Sequence, residues 1–232
     1  MAKISIIIPV RNEATTLPHT LPPLMAQGDL EVIVIDGESE DETVAIAQSQ
    51  GAKVHSLPPG RAQQMNYGAS LATGEILLFL HGDTLLPPDF AATVRSLLAK
   101  PGVAAGAFQL KIAGEGRGLR WVEWWVGVRS HWLQLPYGDQ ALFLKKTTFE
   151  QLGGFPDLPI MEDFVFVRQL RGLGKVAIAP QAVTTSPRRW QRLGVFRTTL
   201  INQGMILGYY LGISPHRLAH WYRSQKQKRE SS

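Results

Sequence analysis

The chain has 232 residues, 44% of them hydrophobic, enough for one large or two small domains around a real core. It contains no cysteine, which excludes a disulfide scaffold, a thiolate metal site and a cysteine nucleophile together. The formal charge is +5, and no acid follows Asp163 until Glu230, whereas Arg188, Arg189, Arg192, Arg197, Arg217, Arg223, Lys226, Lys228 and Arg229 accumulate there. A basic end of this kind suits an anionic ligand or an anionic membrane surface. Nothing resembles a nucleic-acid module, so no nucleic acid is expected as partner.

The opening MAKISIIIPVRNE has too short an apolar run for a signal peptide and reads as a first strand, so a cytoplasmic protein is expected, with the inner membrane face as a further place for it. A helix is predicted from Thr15 to Ala26 with Pro18 in its first turn. LEVIVID is a second strand. SEDETVAIAQSQG is a helix whose Ser39 and Glu42 have the spacing of a capping box and whose end is marked by Gly51. AKVHSL is a third strand, RAQQMNYGASLATG a helix and EILLFLH a fourth strand. Such regular alternation specifies a mostly parallel α/β sheet with right-handed crossovers. GVAAGAFQLKI and QALFLKK read as further strands. Between them Trp121, Trp124, Trp125, Val128 and Trp132 share one helical face. The expectation for that stripe is core, and the alternative is a wall for a sugar or lipid acceptor. PIMEDFVFVRQLRGLG is helical, KVAIAP is a strand, and the chain is helical again from Trp190, with an interruption near Ser214-Pro215.

Ligands of such sheets sit at the carboxyl ends of the strands. The second strand ends at Asp36-Gly37, and the fourth runs into His81-Gly82-Asp83, residue types that suit a divalent metal. The alternative for Asp83 is a cap on the helix after Pro87-Pro88. No G-x-G-x-x-G follows the first strand, which disfavours a dinucleotide fold and leaves a mononucleotide-binding sheet.

Taken together, IIIPVRNE, VIVIDGESEDET, GRAQQMNYGA, LFLHGDT and the later GGFP and MEDF resemble the family 2 glycosyltransferases over roughly residues 3 to 190. The resemblance implies a GT-A fold in residues 1–190, a nucleoside-diphosphate-sugar donor (UDP-linked), Mn²⁺ or Mg²⁺, and inverting transfer to the hydroxyl of a saccharide, lipid or small-molecule acceptor. It implies that Pro9, Arg11, Glu13, Asp36 and Gly37 hold the nucleoside. Arg61 and Gly82 lie near the diphosphate, Asp83 ligates the metal, and Asp163 is the general base beside Glu162. His81 replaces the first acid of the metal motif; imidazole suits Mn²⁺ better than hard Mg²⁺. Arg188 and Arg189 match a diphosphate clamp, and Asp139 in YGDQ is a reserve acid. One rival is a non-catalytic nucleotide-sugar binder. Another is a sugar nucleotidyltransferase, against which the missing glycine- and lysine-rich phosphate loop argues.

Residues 191–232 read as a helical, basic extension. From Thr198 to Pro215 no residue is charged, and Gly204, Gly208 and Gly212 recur at four-residue intervals. The apolar part is about half the ~20 residues of a span. The expected partners are the chain's own domain, a second copy in a homodimer, or an anionic membrane surface.

Overall fold

The computed structural model describes residues 1–227, apart from the side chains of residues 189, 192, 193, 223 and 225–227. Lys228 and Arg229, and the side chains of Arg189, Arg192, Arg223 and Lys226, therefore lie outside the described set. In chain order the first half comprises β1 (Ile4–Val10), α1 (Leu17–Thr20), α2 (Pro22–Met25), β2 (Leu30–Asp36), α3 (Thr43–Ser49), β3 (Lys53–Ser56), α4 (Arg61–Leu71), β4 (Ile76–Phe79), β5 (Thr84–Leu85) and α5 (Phe90–Leu98). The second half comprises β6 (Val103–Ile112), α6 (Arg117–Leu133), a 3-10 turn (Gly138–Gln140), β7 (Phe143–Lys145), α7 (Lys146–Gln151), α8 (Glu162–Leu173), β8 (Lys175–Thr185), α9 (Arg188–Leu193), α10 (Val195–Tyr210) and α11 (Pro215–Gln227).

The described strands form one mixed sheet in the order β3-β2-β1-β4-β7-β6-β8-β5. The first four are mutually parallel, β7 runs antiparallel to both neighbours, β8 is parallel to β6, and β5 is antiparallel to β8. Helices cover both faces, so the central strands are apolar on both. Ile6, Ile8, Val32, Val34 and Leu78 enter one core, and Ile7, Ile33, Ile35, Leu77 and Phe79 the other. That period-two division explains why the strands read as unbroken hydrophobic runs. Contact with α4 is close, because a Cβ on Gly68 would lie 2.5 Å from Ile7 Cγ2. The second core also takes in Ile201 and Met205 of α10 and Leu218 of α11.

Register places the functional end. Val10 pairs with Asp36 and Ile7 with Phe79, so β1, β2 and β4 finish at one edge and send their loops into the same space. At the opposite edge, buried Glu31 accepts from Ser5 Oγ at 2.5 Å, the Thr73 N–H at 2.7 Å and Lys53 Nζ at 2.8 Å. Burial works against its charge, but these donors outweigh it and hold the pKa down to about 2.

Several local expectations are corrected. The helix expected from Thr15 to Ala26 is two short ones, because Pro22 and Pro23 lack the N–H groups that a continuous ladder needs. Glu42 stands at the N-cap of α3, yet no capping box forms: Ser39 Oγ donates to Asp36 Oδ1 and accepts from the Asn12 N–H. Gly51 does close α3, with φ of +82°. Asp89, not Asp83, stands at the N-cap of α5.

The largest correction concerns the tryptophans. The buried face of α6 is Leu119, Val122, Val126 and Ser130, while Trp121, Trp124, Trp125 and Trp132 are exposed. Periodicity identified the stripe correctly, but the helix has a second apolar face, and that one packs on the sheet. The glycine stripe serves packing within the chain at Gly208, where a Cβ would lie 2.8 Å from Leu218 Cδ2 of α11.

Candidate active site

The loop after β1 is stitched to the loop after β2. The Gly37 N–H donates to the Val10 carbonyl at 2.9 Å, the Glu13 N–H to Thr43 Oγ1 at 2.7 Å, and the Glu40 N–H to Asn12 Oδ1 at 2.8 Å. Asp36 is buried and pinned, receiving the Ser39 hydroxyl and, at 3.1 Å, the Ser39 N–H. Asn12 and Glu38 both adopt positive φ in these turns. Arg11 is exposed. Gly82 lies against this loop, with space for a Cβ closed by Val10 Cγ1 at 3.1 Å and Glu13 Cγ at 3.3 Å.

The two-residue strand β5 determines what meets Asp83. Thr84 pairs with Thr185, their hydroxyls 3.1 Å apart, and the Ser186 N–H donates to the Asp83 carbonyl at 3.2 Å. The next turn therefore delivers Arg188 to Asp83. Arg188 Nη2 stands 2.6 Å from Glu13 Oε2 and 3.4 Å from Asp83 Oδ2. Burial disfavours the Arg188 cation, but Glu13 and then Asp83 hold its pKa above the ordinary value. The backbone of Arg189 lies in α9 and its side chain is outside the described set.

Arg61, at the start of α4, organises the neighbouring space. Its Nε lies 3.3 Å from Glu162 Oε1 and its Nη2 2.5 Å from His81 Nε2. A guanidinium only donates, so the imidazole accepts and its Nε2 lone pair is engaged. Burial opposes the Arg61 charge, but Glu162, Asp163, Asp139 and Asp83, in falling order, raise its pKa. Glu162 is itself buried, and burial first, with help from Asp163, pushes its pKa up against the pull of Arg61. Adjacent on α8, Asp163 is held by the 3-10 turn and by its own helix. Its Oδ2 accepts the Gly138 N–H at 2.8 Å and its Oδ1 the Phe164 N–H at 2.7 Å.

Pro9, Arg61, His81, Gly138 and Asp163 line one small crevice. It adjoins a cavity of about 460 Å³ whose walls include Asp139, Glu162, Tyr137, Trp190, Asn202, Met205 and Tyr222. The structure thus brings Arg61, His81, Asp139, Glu162 and Asp163 together, and separately Glu13, Asp83 and Arg188. Asp36 and Gly37 stand one strand away.

The sequence points to YGDQ, Tyr137 to Gln140, as a stretch that meets the acceptor, but not to what holds that turn in place. Gln140 is fully buried; its Nε2 donates to the Phe108 carbonyl at 2.8 Å and its Oε1 accepts from Ser130 Oγ at 2.9 Å. This anchors the 3-10 turn that presents Asp139 and the Gly138 N–H. Arg129 lies 3.3 Å above the Tyr137 ring. The polar Gln140 at the head of an apolar strand is the signal that could have shown how the turn is anchored.

A divalent cation can be tested against these residues. Among the described residues no group of three or more His, Cys, Asp or Glu side chains is disposed to hold a metal. Glu13 and Asp83 nevertheless converge on one cationic nitrogen. Two carboxylates fit an ion of the Mg²⁺ or Mn²⁺ kind that takes its remaining oxygens from water and a bound diphosphate. In this arrangement Arg61 occupies the Nε2 of His81, so that nitrogen is not offered to the cation.

Residues 5–155 match the family model described as Glycosyl transferase family 2. The chain is 37% identical over 97 residues to a 4,4'-diaponeurosporenoate glycosyltransferase of Staphylococcus haemolyticus, an alignment covering 38% of this chain and 26% of that one. It therefore spans about a quarter of that relative's length. Among solved structures it superposes on the mannosyltransferase PcManGT of Pyrobaculum calidifontis in complex with GDP-Man and Mn²⁺. The TM-score is 0.61 at 22% identity, with 79% of this chain and 56% of the other covered. S. aureus TarS 1-349 in complex with UDP-GlcNAc superposes with a TM-score of 0.62 at 18% identity, covering 79% and 58%. At these identities the superpositions show the fold, which is GT-A.

Proposed function

The chain belongs to glycosyl transferase family 2, and from that premise we propose that it moves a sugar from a nucleoside-diphosphate donor, UDP-linked, to an acceptor hydroxyl with inversion. The observation that carries the reading is the meeting of Asp163, Asp139, Glu162, Arg61 and His81 around one cavity, beside the Glu13–Asp83–Arg188 cluster. The nucleoside lies along the ends of β1 and β2, near Pro9, Asp36 and Gly37. The acceptor occupies the cavity walled by α8 and α10. Asp163 takes the hydroxyl proton as the oxygen attacks the anomeric carbon, and the bond from that carbon to the diphosphate breaks, releasing the nucleoside diphosphate. Both carboxylate oxygens of Asp163 receive an N–H, which fixes the group while leaving each a further lone pair for the proton. Arg188 offers a guanidinium to the diphosphate. Asp83 with Glu13 would hold a divalent ion, which supplies charge neutralisation of the leaving group. Arg61 fixes Glu162 and His81, so that of the adjacent acids only Asp163 is left for proton transfer.

Relatives' substrates guide the choice of test. The TarS neighbour binds UDP-GlcNAc and the mannosyltransferase GDP-Man with Mn²⁺. A panel of UDP- and GDP-sugars, each with and without Mn²⁺, should give one donor that raises the melting temperature, since a ligand at 100 Kd adds ~2.7 kcal/mol. Incubation with that donor should then release its nucleoside diphosphate in the presence of acceptor. Stabilisation without any turnover across an acceptor panel would favour the non-catalytic binder. No stabilisation by any donor would refute donor binding itself.

A further inference from the structure

The exposed side of α6 is the opposite of what a solvated helix face looks like. Trp121, Trp124, Trp125 and Trp132 project from it, Trp132 at 82% exposure, with Leu133 exposed beyond them. From Trp121 to Trp132 the stripe runs ~16 Å along the helix. Helix α10 repeats the pattern. It buries Thr198, Ile201, Met205 and Gly208, and on its other side exposes Phe196, Leu200 and Leu207, with Leu211 exposed at its C-cap; Phe196 and Leu211 are 78% and 72% exposed. The two helices touch near their starts, where a Cβ on Gly118 would lie 3.3 Å from Val195 Cγ2. Each is therefore held to the fold by one apolar side while a second apolar side faces out.

We infer that this tryptophan and leucine surface of α6 and α10 docks the protein onto an anionic lipid bilayer. Three observations choose that occupant. The exposed aromatics are dominated by tryptophan, whose flat amphipathic ring suits the headgroup boundary. The segment that carries α10 has no acid between Asp163 and Glu230, and the acid on α6, Glu123, is engaged by Arg120 at 3.0 Å. A second copy would bring the same cationic segment against itself, whereas anionic headgroups neutralise it. No helix among the described residues is long and apolar enough to cross a membrane. The contact is thus one of lying on the surface, by two apolar helix faces plus electrostatics. It stands apart from the transfer chemistry, although the inner sides of α10 and α11, at Met205 and Tyr222, wall the cavity beside Asp163.

The test is sedimentation of the full chain with phosphatidylcholine vesicles, with and without phosphatidylglycerol, read beside tryptophan emission. The chain should pellet with the anionic vesicles, its emission should shift to the blue, and added salt should reduce the binding. The triple variant Trp121→Ser, Trp124→Ser, Trp132→Ser removes side chains that are exposed, so its melting temperature should stay near that of the parent. Its partitioning should fall by about tenfold or more, the scale set by taking large apolar side chains out of water. A chain that stays in the supernatant with anionic vesicles overturns the inference, as does a folded triple variant that pellets like the parent. Solution scattering of the lipid-free chain gives the third result. A dimer mass that the triple variant converts to a monomer would assign the surface to a second copy and overturn membrane docking.

Discussion

Asp163→Asn separates two roles that the structure gives to one carboxylate. The aspartate accepts two N–H groups, from Gly138 at 2.8 Å and from Phe164 at 2.7 Å. Asparagine offers one acceptor oxygen, so its amide NH₂ must face one of those donors. Losing a hydrogen bond to a charged group costs about 1.5–3 kcal/mol, which for a chain of this size lowers the melting temperature by about 3–12 °C. The chemical cost is separate. General-base help is worth about 10²–10⁴-fold, or roughly 3–5 kcal/mol of barrier. At a temperature where both proteins are folded, kcat with saturating donor and acceptor should fall by about that factor, while donor affinity should change little, because the proposed place of the nucleotide is on the β1 and β2 loops. Thermal melts report the first cost and single-turnover kinetics the second. Glu162→Gln is the control: that side chain is paired with Arg61, so its loss should move stability more than rate. If Asp163→Asn turns over within about threefold of the parent, or if Glu162→Gln or Asp139→Asn is the dead variant, proton transfer has been assigned to the wrong acid.

Asp83→Asn should remove the Mn²⁺-dependent part of UDP binding, measured by calorimetry with and without the ion; equal metal dependence in variant and parent would release Asp83 from that role. Arg188→Gln removes the cation shared by Glu13 and Asp83 and should weaken UDP binding by about tenfold, the usual scale for a charge-assisted contact; undiminished affinity would take Arg188 out of the donor site. Glu31, with its pKa held at about 2 against an ordinary 4.5, stabilises the fold above pH 4.5. That contribution, at most about 3 kcal/mol and less because Lys53 is exposed, should disappear as the pH falls from about 4.5 to about 2. Glu31→Gln should therefore melt lower at pH 7 and converge on the parent in acid, as urea titrations at the two pH values would show.

The sheet was legible because its strands are buried on both sides, and LEVIVID or EILLFLH permits few other readings. The acids at the strand ends were legible for the same reason: a carboxylate directly after such a run has nowhere to go but the edge. What escaped was set by tertiary partners. Ser39 and Glu42 have capping-box spacing, but the pinned Asp36 competes for Ser39 and wins. The strand β5 is two residues long, too short for any period, yet it is what carries Arg188 to Asp83. On α6 the period was correct and the side was not, since a helix with apolar residues on two faces does not declare which one it buries. Whether His81 would meet a metal or an arginine depended on α4, twenty residues earlier, and no local pattern links them.

Charge supplies a further constraint on how the donor arrives. Glu13, Asp83, Asp139, Glu162 and Asp163 surround this end of the sheet, and among the described side chains Arg61 is ion-paired with Glu162 and Arg188 with Glu13 and Asp83. Where these acids set the local field, a nucleoside diphosphate enters a region of its own sign and needs positive charge to come with it. Two signatures follow. Without a divalent ion, UDP binding should strengthen as monovalent salt rises, because screening weakens the repulsion from the acids. With Mn²⁺ present the sign should reverse, because salt then screens an attraction. Calorimetric titrations of UDP at low and high salt, with and without Mn²⁺, read both slopes. If binding without the ion weakens with salt as it does with it, Arg188 and Arg61 already dominate the field, and the diphosphate needs no metal in order to bind.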